Sequence, residues 1–171
     1  EDTLNGYGHS LNLERVYNLS AGANLVSFPS PGMIDIESAI PDEIEDNIIA
    51  IIGASWSALN TENGWSGSLM NFEGNKGYWI ITNDDISFSY ELDGIDMLSR
   101  NSNPYKMANR PSEIDFIQSS QQAFYYLDEK DITDTNISYG DWLVSYCGTS
   151  ITGSRQYLGS TIDVPVMGYD G

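Results

Sequence analysis

The chain has 171 residues, enough for one ordinary domain or two small ones. Its 25 acidic residues against 7 basic ones give a formal net charge of −18, which argues against binding to nucleic acid or to an anionic membrane surface. A hydrophobic content of 40% is enough for a packed core and argues against global disorder. No apolar run approaches the roughly 20 residues that span a bilayer, so membrane insertion is not expected.

Residues 1–13 predict an extended N-terminal arm, because they are polar and contain Gly6 and Gly8. The arm holds the chain's one histidine, His9, which has no Cys, Asp or Glu cluster at ligand spacing and is assigned no role. The chain opens without an initiator methionine or a signal peptide, so we expect a processed end or an excerpt of a longer protein.

Residues 14–93 predict an aromatic-rich β module with a short helix. The run Ile48–Ile52 would suit a buried helix or a buried strand, and alternation up to Ala58 favours one strand over residues 48–60. Asn63-Gly64 predicts a tight hairpin, because Asn-Gly adopts positive φ readily. Further strands are predicted at residues 15–19, 25–28, 65–69, 78–82 and 86–92, and short helical segments at 35–40 and 42–46.

The stretch 64–81 concentrates aromatic residues between glycines and admits two interpretations. The first is an aromatic hairpin that fills a small β core, since such side chains mainly supply buried apolar area. The second is an exposed platform for sugar rings or a partner protein. The candidate ligand or partner residues are Trp56, Trp65, Tyr78, Trp79 and Trp142.

Residues 94–112 predict a linker rich in Gly, Pro, Asn and Ser, and residues 113–171 predict a second β module. Apolar side chains on both faces of residues 116–128 indicate a central strand. An acidic turn is expected at residues 128–134, followed by strands at 142–147 and 151–158. Cys147 is the one cysteine, so no internal disulfide forms, and its strand-like surroundings predict a buried thiol.

No residue set identifies a reaction, so we expect no catalytic residue and no enzyme. Nucleophilic catalysis needs a base beside a nucleophile, and paired carboxylates of a glycosidase need a cleft, whereas the acids here lie in turns. Transition-metal and phosphate-loop signatures are absent from the sequence, and no cofactor is expected. Calcium is the one ion that oxygen-rich turns would suit, with Asp163 and Asp170 as candidate ligands, although neither follows EF-hand spacing. Ordinary acidic turns are the alternative.

Several segments carry a recurring pattern. They are YNLSAGANLVSFP at 17–29, WSGSL at 65–69, KGYWI at 76–80, SSQQAFYY at 119–126, GDW at 140–142, GSR at 153–155 and DVPVMGYDG at 163–171. Together they resemble paired β-rich modules of secreted or surface proteins of marine bacteria and of structural proteins of marine phages. The second module of that family runs on past its Asp-Gly, so the resemblance implies a longer chain or a sheet completed by another chain.

The expected fold is therefore mainly β, with two small β-sandwich-like modules and one or two short helices in the first. The expected function is a non-enzymatic structural, assembly or adhesion module of an extracellular, cell-surface or virion structure. Its partners would be further copies of itself or neighbouring structural subunits. The alternative is a carbohydrate-binding module, stabilised by calcium, of a secreted multimodular protein.

Overall fold

The computed structural model describes residues 12–96 and 110–170. Within these ranges the chain is mainly β, with thirteen strands in several sheets and three short α-helices, which confirms the predicted fold class. Most of the predicted arm and residues 97–109 of the predicted linker lie outside the described residues.

The elements are β1 (Tyr17–Leu19), β2 (Gly22–Ser27), β3 (Met33–Asp35), α1 (Ile36–Ala39), α2 (Asp42–Glu45), β4 (Ile48–Ile52), β5 (Ser57–Thr61), β6 (Gly64–Gly67), β7 (Asn71–Glu73), β8 (Gly77–Thr82), β9 (Ile86–Phe88), a 3₁₀ turn (Ser112–Ile114), β10 (Gln122–Leu127), α3 (Glu129–Thr133), β11 (Trp142–Cys147), β12 (Ser150–Gln156) and β13 (Ile162–Met167).

A five-stranded antiparallel sheet with the order β2-β8-β4-β5-β6 forms the centre of the first module. Side chains alternate across a strand, so β8 places Tyr78 and Ile80 on the buried face and Trp79 on the outer face. Ile51 on β4 pairs with Ile80 and is likewise buried. The sheet therefore has one apolar inner face, and its outer face is available to the second module and to solvent.

The inner face is covered by α1 and by two small antiparallel pairs, β1–β9 and β3–β7. Aromatic rings fill the space between them: Phe72 lies 4.9 Å from Tyr78 and 5.1 Å from Tyr90, measured between ring centroids. Phe28 stacks on Phe72 at 5.5 Å. Edge-to-face and offset contacts of this kind add to the apolar burial. Much of the aromatic content of the first module is thus core.

The two predicted helical segments are present as α1 and α2, each of four residues. The Asp35 carboxylate caps α1 by accepting a hydrogen bond from the N–H of Glu37 at 2.9 Å. Pro41 follows α1 after one residue and serves as the N-cap of α2.

The second module consists of two antiparallel pairs, β10–β13 and β11–β12, which lie against each other. Gly153 on β12 allows this close approach, because a Cβ there would stand 1.8 Å from the carbonyl oxygen of Pro165 on β13. Ser145 on β11 donates a hydrogen bond to the same carbonyl at 2.8 Å. Pro165 fits within β13 because proline suits a position whose N–H is not needed by a neighbouring strand.

The prediction of a single strand over residues 48–60 is wrong. The structure has two strands, β4 and β5, joined by a tight turn in which the Gly53 N–H donates to the Trp56 carbonyl at 2.8 Å. Ser55 adopts a φ of 66° within that turn. The sequence alternates straight through the turn, so periodicity alone could not reveal it. The hairpin that follows is present, with Thr61 opposite Gly64 and a φ of 92° at Gly64.

Three expectations for the second module are also wrong. The predicted central strand is the shorter β10, which among the described strands pairs only with β13, and Tyr125 on it is 65% exposed. The predicted acidic turn at 128–134 is the helix α3, because Asp128 and Asp131 form a reciprocal capping box. Cys147 is exposed, because β11 ends there and the chain turns at Gly148.

Candidate functional site

A buried polar network joins the two modules. The Asp163 carboxylate on β13 accepts hydrogen bonds from the Ser57 hydroxyl at 2.8 Å and from the Ser68 hydroxyl at 2.7 Å. Arg155 on β12 completes it, with its Nη2 atom 3.4 Å from Asp163 Oδ2 and its Nε atom 2.9 Å from the Asp163 carbonyl oxygen. The Tyr126 hydroxyl donates to the Ser57 hydroxyl at 2.8 Å. Because Ser57 and Ser68 belong to the first module, the network holds the second module against it.

Burial governs the ionisation of this network. It raises the pKa of the Asp163 carboxyl, and the positive charge of Arg155 opposes that rise. Burial also lowers the pKa of the Arg155 guanidinium, while Asp163 acts in the opposite direction. Burial raises the pKa of Tyr126 to about 12. The Arg155 and Asp163 side chains are almost fully buried, so each depends on the other for compensation of its charge.

The two predicted calcium ligands are engaged in separate hydrogen-bond sets. Arg155 and the serine donors engage the Oδ2 atom of Asp163, whose side chain is fully buried. Asp170 accepts from the Ser119 hydroxyl at 2.7 Å and from the Ser120 N–H at 2.9 Å, and these bonds hold its pKa below the ordinary value. Asp163 and Asp170 share no partner. Across residues 12–96 and 110–170, no group of three or more His, Cys, Asp or Glu residues could hold a metal ion.

The five aromatic candidates differ in exposure and in their partners. Tyr78 is buried, and its hydroxyl accepts the Glu73 N–H at 2.8 Å; burial raises its pKa to about 12. Trp65 is half-buried and donates its indole N–H to the Glu45 carboxylate. Trp142 is half-buried on β11, and Trp79 is 42% exposed on the outer face of β8. Because Tyr78 is buried, the five do not all share one exposed surface.

Among the aromatic candidates, Trp56 lies beside both Arg155 and a cavity. Its ring is half-buried, and the Arg155 guanidinium carbon lies 4.6 Å from the ring centroid. Trp56 and Tyr78 both line a cavity of about 310 Å³ between the β4–β5 turn, the loop before β7 and the start of β8. Asn71, Glu73 and Lys76 supply polar groups to its wall. The volume lies at the small end of the range of ligand pockets, about 300–1,000 Å³.

A second candidate site is the edge of β2 that faces away from β8. The Phe28 N–H donates to the Lys76 carbonyl at 3.1 Å, and in the antiparallel register this makes Val26 and Asn24 the hydrogen-bonded positions opposite β8. The main-chain groups of Ala23 and Leu25 therefore point away from β8. In the described part of the chain they meet no hydrogen-bond partner.

The side chains of this edge are apolar or neutral. Leu25 is 66% exposed and lies opposite Trp79 on the outer face. The six residues of β2 include no charged residue and no proline. Sequence reasoning identified Trp79 but missed Leu25, because alternation shows which residues share a face and does not show which strand ends the sheet.

Comparison of the chain with protein-family models, with curated proteins and with solved structures finds no match. Within the residues that the structure describes, none of the helices has the length and apolarity needed to cross a membrane.

Proposed function

We propose that the chain is a non-enzymatic assembly or adhesion module of an extracellular, cell-surface or virion structure, and that it associates with a second copy of itself through β2. The observation that carries the proposal is the uncharged edge of that strand, which pairs with β8 on its other side only and borders a groove shared with residues 15–19. Soluble proteins protect exposed edges with charges, prolines or bulges, because unpaired main-chain groups recruit another strand. β2 has an exposed leucine at the edge instead.

A two-fold symmetric dimer would give the unpaired main-chain groups of β2 hydrogen-bond partners. If Ala23 of each copy stands opposite Leu25 of the other, the four unpaired main-chain groups of each copy form hydrogen bonds across an antiparallel pair. The same pairing brings Leu25 and Trp79 of both copies onto one face of a continuous sheet. It therefore removes exposed apolar surface as well as unpaired donors and acceptors.

The net charge of −18 defines the conditions for this association. Two such copies repel each other, and salt screens the repulsion over about 8–10 Å at physiological ionic strength and over shorter distances in more concentrated salt. The association should therefore strengthen as salt rises. The sequence resemblance to marine surface and virion modules supports an extracellular or virion location.

Light scattering on a sizing column tests the proposal. We expect a discrete dimer at low micromolar concentration in sea-water-like salt. Leu25→Pro removes the exposed leucine side chain and a main-chain donor that faces away from β8, and Leu25→Lys adds a charge at the edge, so both variants should be monomers. Tyr146→Lys is the matched control, since Tyr146 is 60% exposed on β11 of the second module.

Each outcome of this experiment either supports or overturns pairing through β2. A wild-type and Tyr146→Lys dimer with monomeric Leu25 variants supports pairing through β2. A wild-type protein that stays monomeric at every salt concentration, or a Leu25→Lys variant that dimerises as strongly as wild type, overturns it. Circular dichroism of each variant establishes that the sheet is intact.

A further inference from the structure

We infer that the cavity beside Trp56 binds the ring of a neutral sugar. This site is separate from the proposed pairing of β2 and does not depend on it. The cavity has a volume of about 310 Å³, enough for one small ring but too confined for a long chain lying flat.

Trp56 supplies the apolar wall. The Arg155 guanidinium carbon lies 4.6 Å from the Trp56 ring centroid, and Trp56 lines the cavity whereas Arg155 does not. Arg155 is in turn fixed by the buried Asp163 carboxylate. The ring is thus held in one orientation before any ligand arrives, which reduces the entropy that binding would cost. An aromatic face of this kind matches the apolar C–H face of a sugar ring.

Asn71 and Glu73 supply hydrogen-bonding groups to the same cavity. Both are half-buried on β7, the strand that pairs with β3, so their backbone positions are fixed by the sheet. An amide offers both donors and acceptors, and a carboxylate offers acceptors only. Vicinal hydroxyls of a sugar can donate to the carboxylate and exchange hydrogen bonds with the amide. A purely apolar ligand would leave these groups unpaired.

The charges of the cavity wall and of the whole protein favour neutral sugars over anionic ones. Glu73 and Lys76 place one charge of each sign on the cavity wall, so the site has no net local charge. The remainder of the protein carries a strongly negative field that repels uronic acids and sulfated sugars. The expected ligand is therefore a neutral hexose or pentose, free or at the end of a glycan.

The test is a titration of the full chain, followed by NMR chemical shifts and by tryptophan fluorescence. The probes are glucose, galactose, mannose, xylose and N-acetylglucosamine, with galacturonic acid as the anionic counterpart of galactose. At least one neutral sugar should shift the amide signals of residues 53–56 and 71–76. Galacturonic acid should bind several-fold more weakly than galactose at low salt.

Substitutions of the lining residues test whether the sugar binds in the cavity beside Trp56. Trp56→Ala should weaken binding about tenfold or more, because it removes the aromatic anchor. Since that change also removes the packing of Arg155, Glu73→Gln and Asn71→Ala provide independent tests that leave the Trp56–Arg155 contact in place. Each should weaken binding several-fold. Tyr146→Ala is the control, because Tyr146 is exposed on β11 and does not line the cavity.

The inference is overturned if none of the neutral sugars shifts these amides, or if the Glu73 and Asn71 variants bind as wild type does. Equal binding of galactose and galacturonic acid at low salt would overturn the selection by charge. Oligomeric state is measured separately, so a monomeric protein that binds sugar refutes pairing through β2 and leaves the sugar site standing.

Discussion

Replacing Arg155 by methionine tests how strongly the buried ion pair holds the two modules together. The side chains of Arg155 and Asp163 are only 5% and 1% exposed. Methionine keeps most of the apolar volume but removes the charge, the Nε hydrogen bond to Asp163 and the contact with Trp56. Breaking a buried pair by removing one partner costs about 3–5 kcal/mol, because it leaves an uncompensated buried charge. That is a large fraction of the roughly 5–15 kcal/mol by which domains are stable.

The loss should depend on pH with a definite sign. Burial already raises the pKa of Asp163, and Arg155 is the main group that opposes the rise, so Arg155→Met raises the pKa further. A carboxyl whose pKa is higher in the folded state stabilises the fold below its unfolded pKa, and this contribution is lost as pH rises through the folded pKa. The variant should therefore be closest to wild type in mild acid and fall furthest behind at neutral pH.

Urea unfolding followed by tryptophan fluorescence measures both effects, since urea adds no salt. The double variant Arg155→Met/Asp163→Asn should be more stable at neutral pH than Arg155→Met alone, because no unpaired carboxylate remains. The exposed pair Lys130–Asp128, at 2.7 Å, provides the control: Lys130→Met should change stability little. A loss below about 1 kcal/mol for Arg155→Met, or a loss that does not vary with pH, would refute the argument.

Two further predictions concern the second module. Gly153→Ala should destabilise the fold by about 1–3 kcal/mol or more in urea unfolding, because the new Cβ would meet the Pro165 carbonyl; Gly77→Ala, whose nearest neighbour would be 3.7 Å away, should be tolerated much better. The lowered pKa of Asp170 should appear below 3.8 in an NMR titration; its stabilising effect is present above the unfolded pKa and lost as pH falls through the folded one, so wild type and Asp170→Asn should converge in acid.

The sequence anticipated features that depend on local pattern. Period-two alternation and aromatic residues identified most strands, and Asn63-Gly64 identified the hairpin between β5 and β6. These features follow from neighbouring residues, since backbone preference and side-chain alternation act over a few positions. The same locality caused errors: alternation ran unbroken through the turn at Ser55, and acidic residues that looked like a turn formed the capping box of α3.

The candidate sites depended on contacts that no local pattern contains. Ser57 and Asp163 are 106 residues apart in the chain, and only folding brings them to 2.8 Å. Asp163 therefore looked like a metal ligand in the sequence and is the partner of Arg155 in the structure.

The mainly β class, the two short helices α1 and α2 and the acidic surface were thus determined by the sequence itself, through propensity, alternation and charge. Tertiary structure decided that Tyr78 is core, that Trp56 borders a cavity and that β2 ends its sheet. The physical reason is that burial and strand order depend on which distant segments pack together, and each strand is compatible with several neighbours.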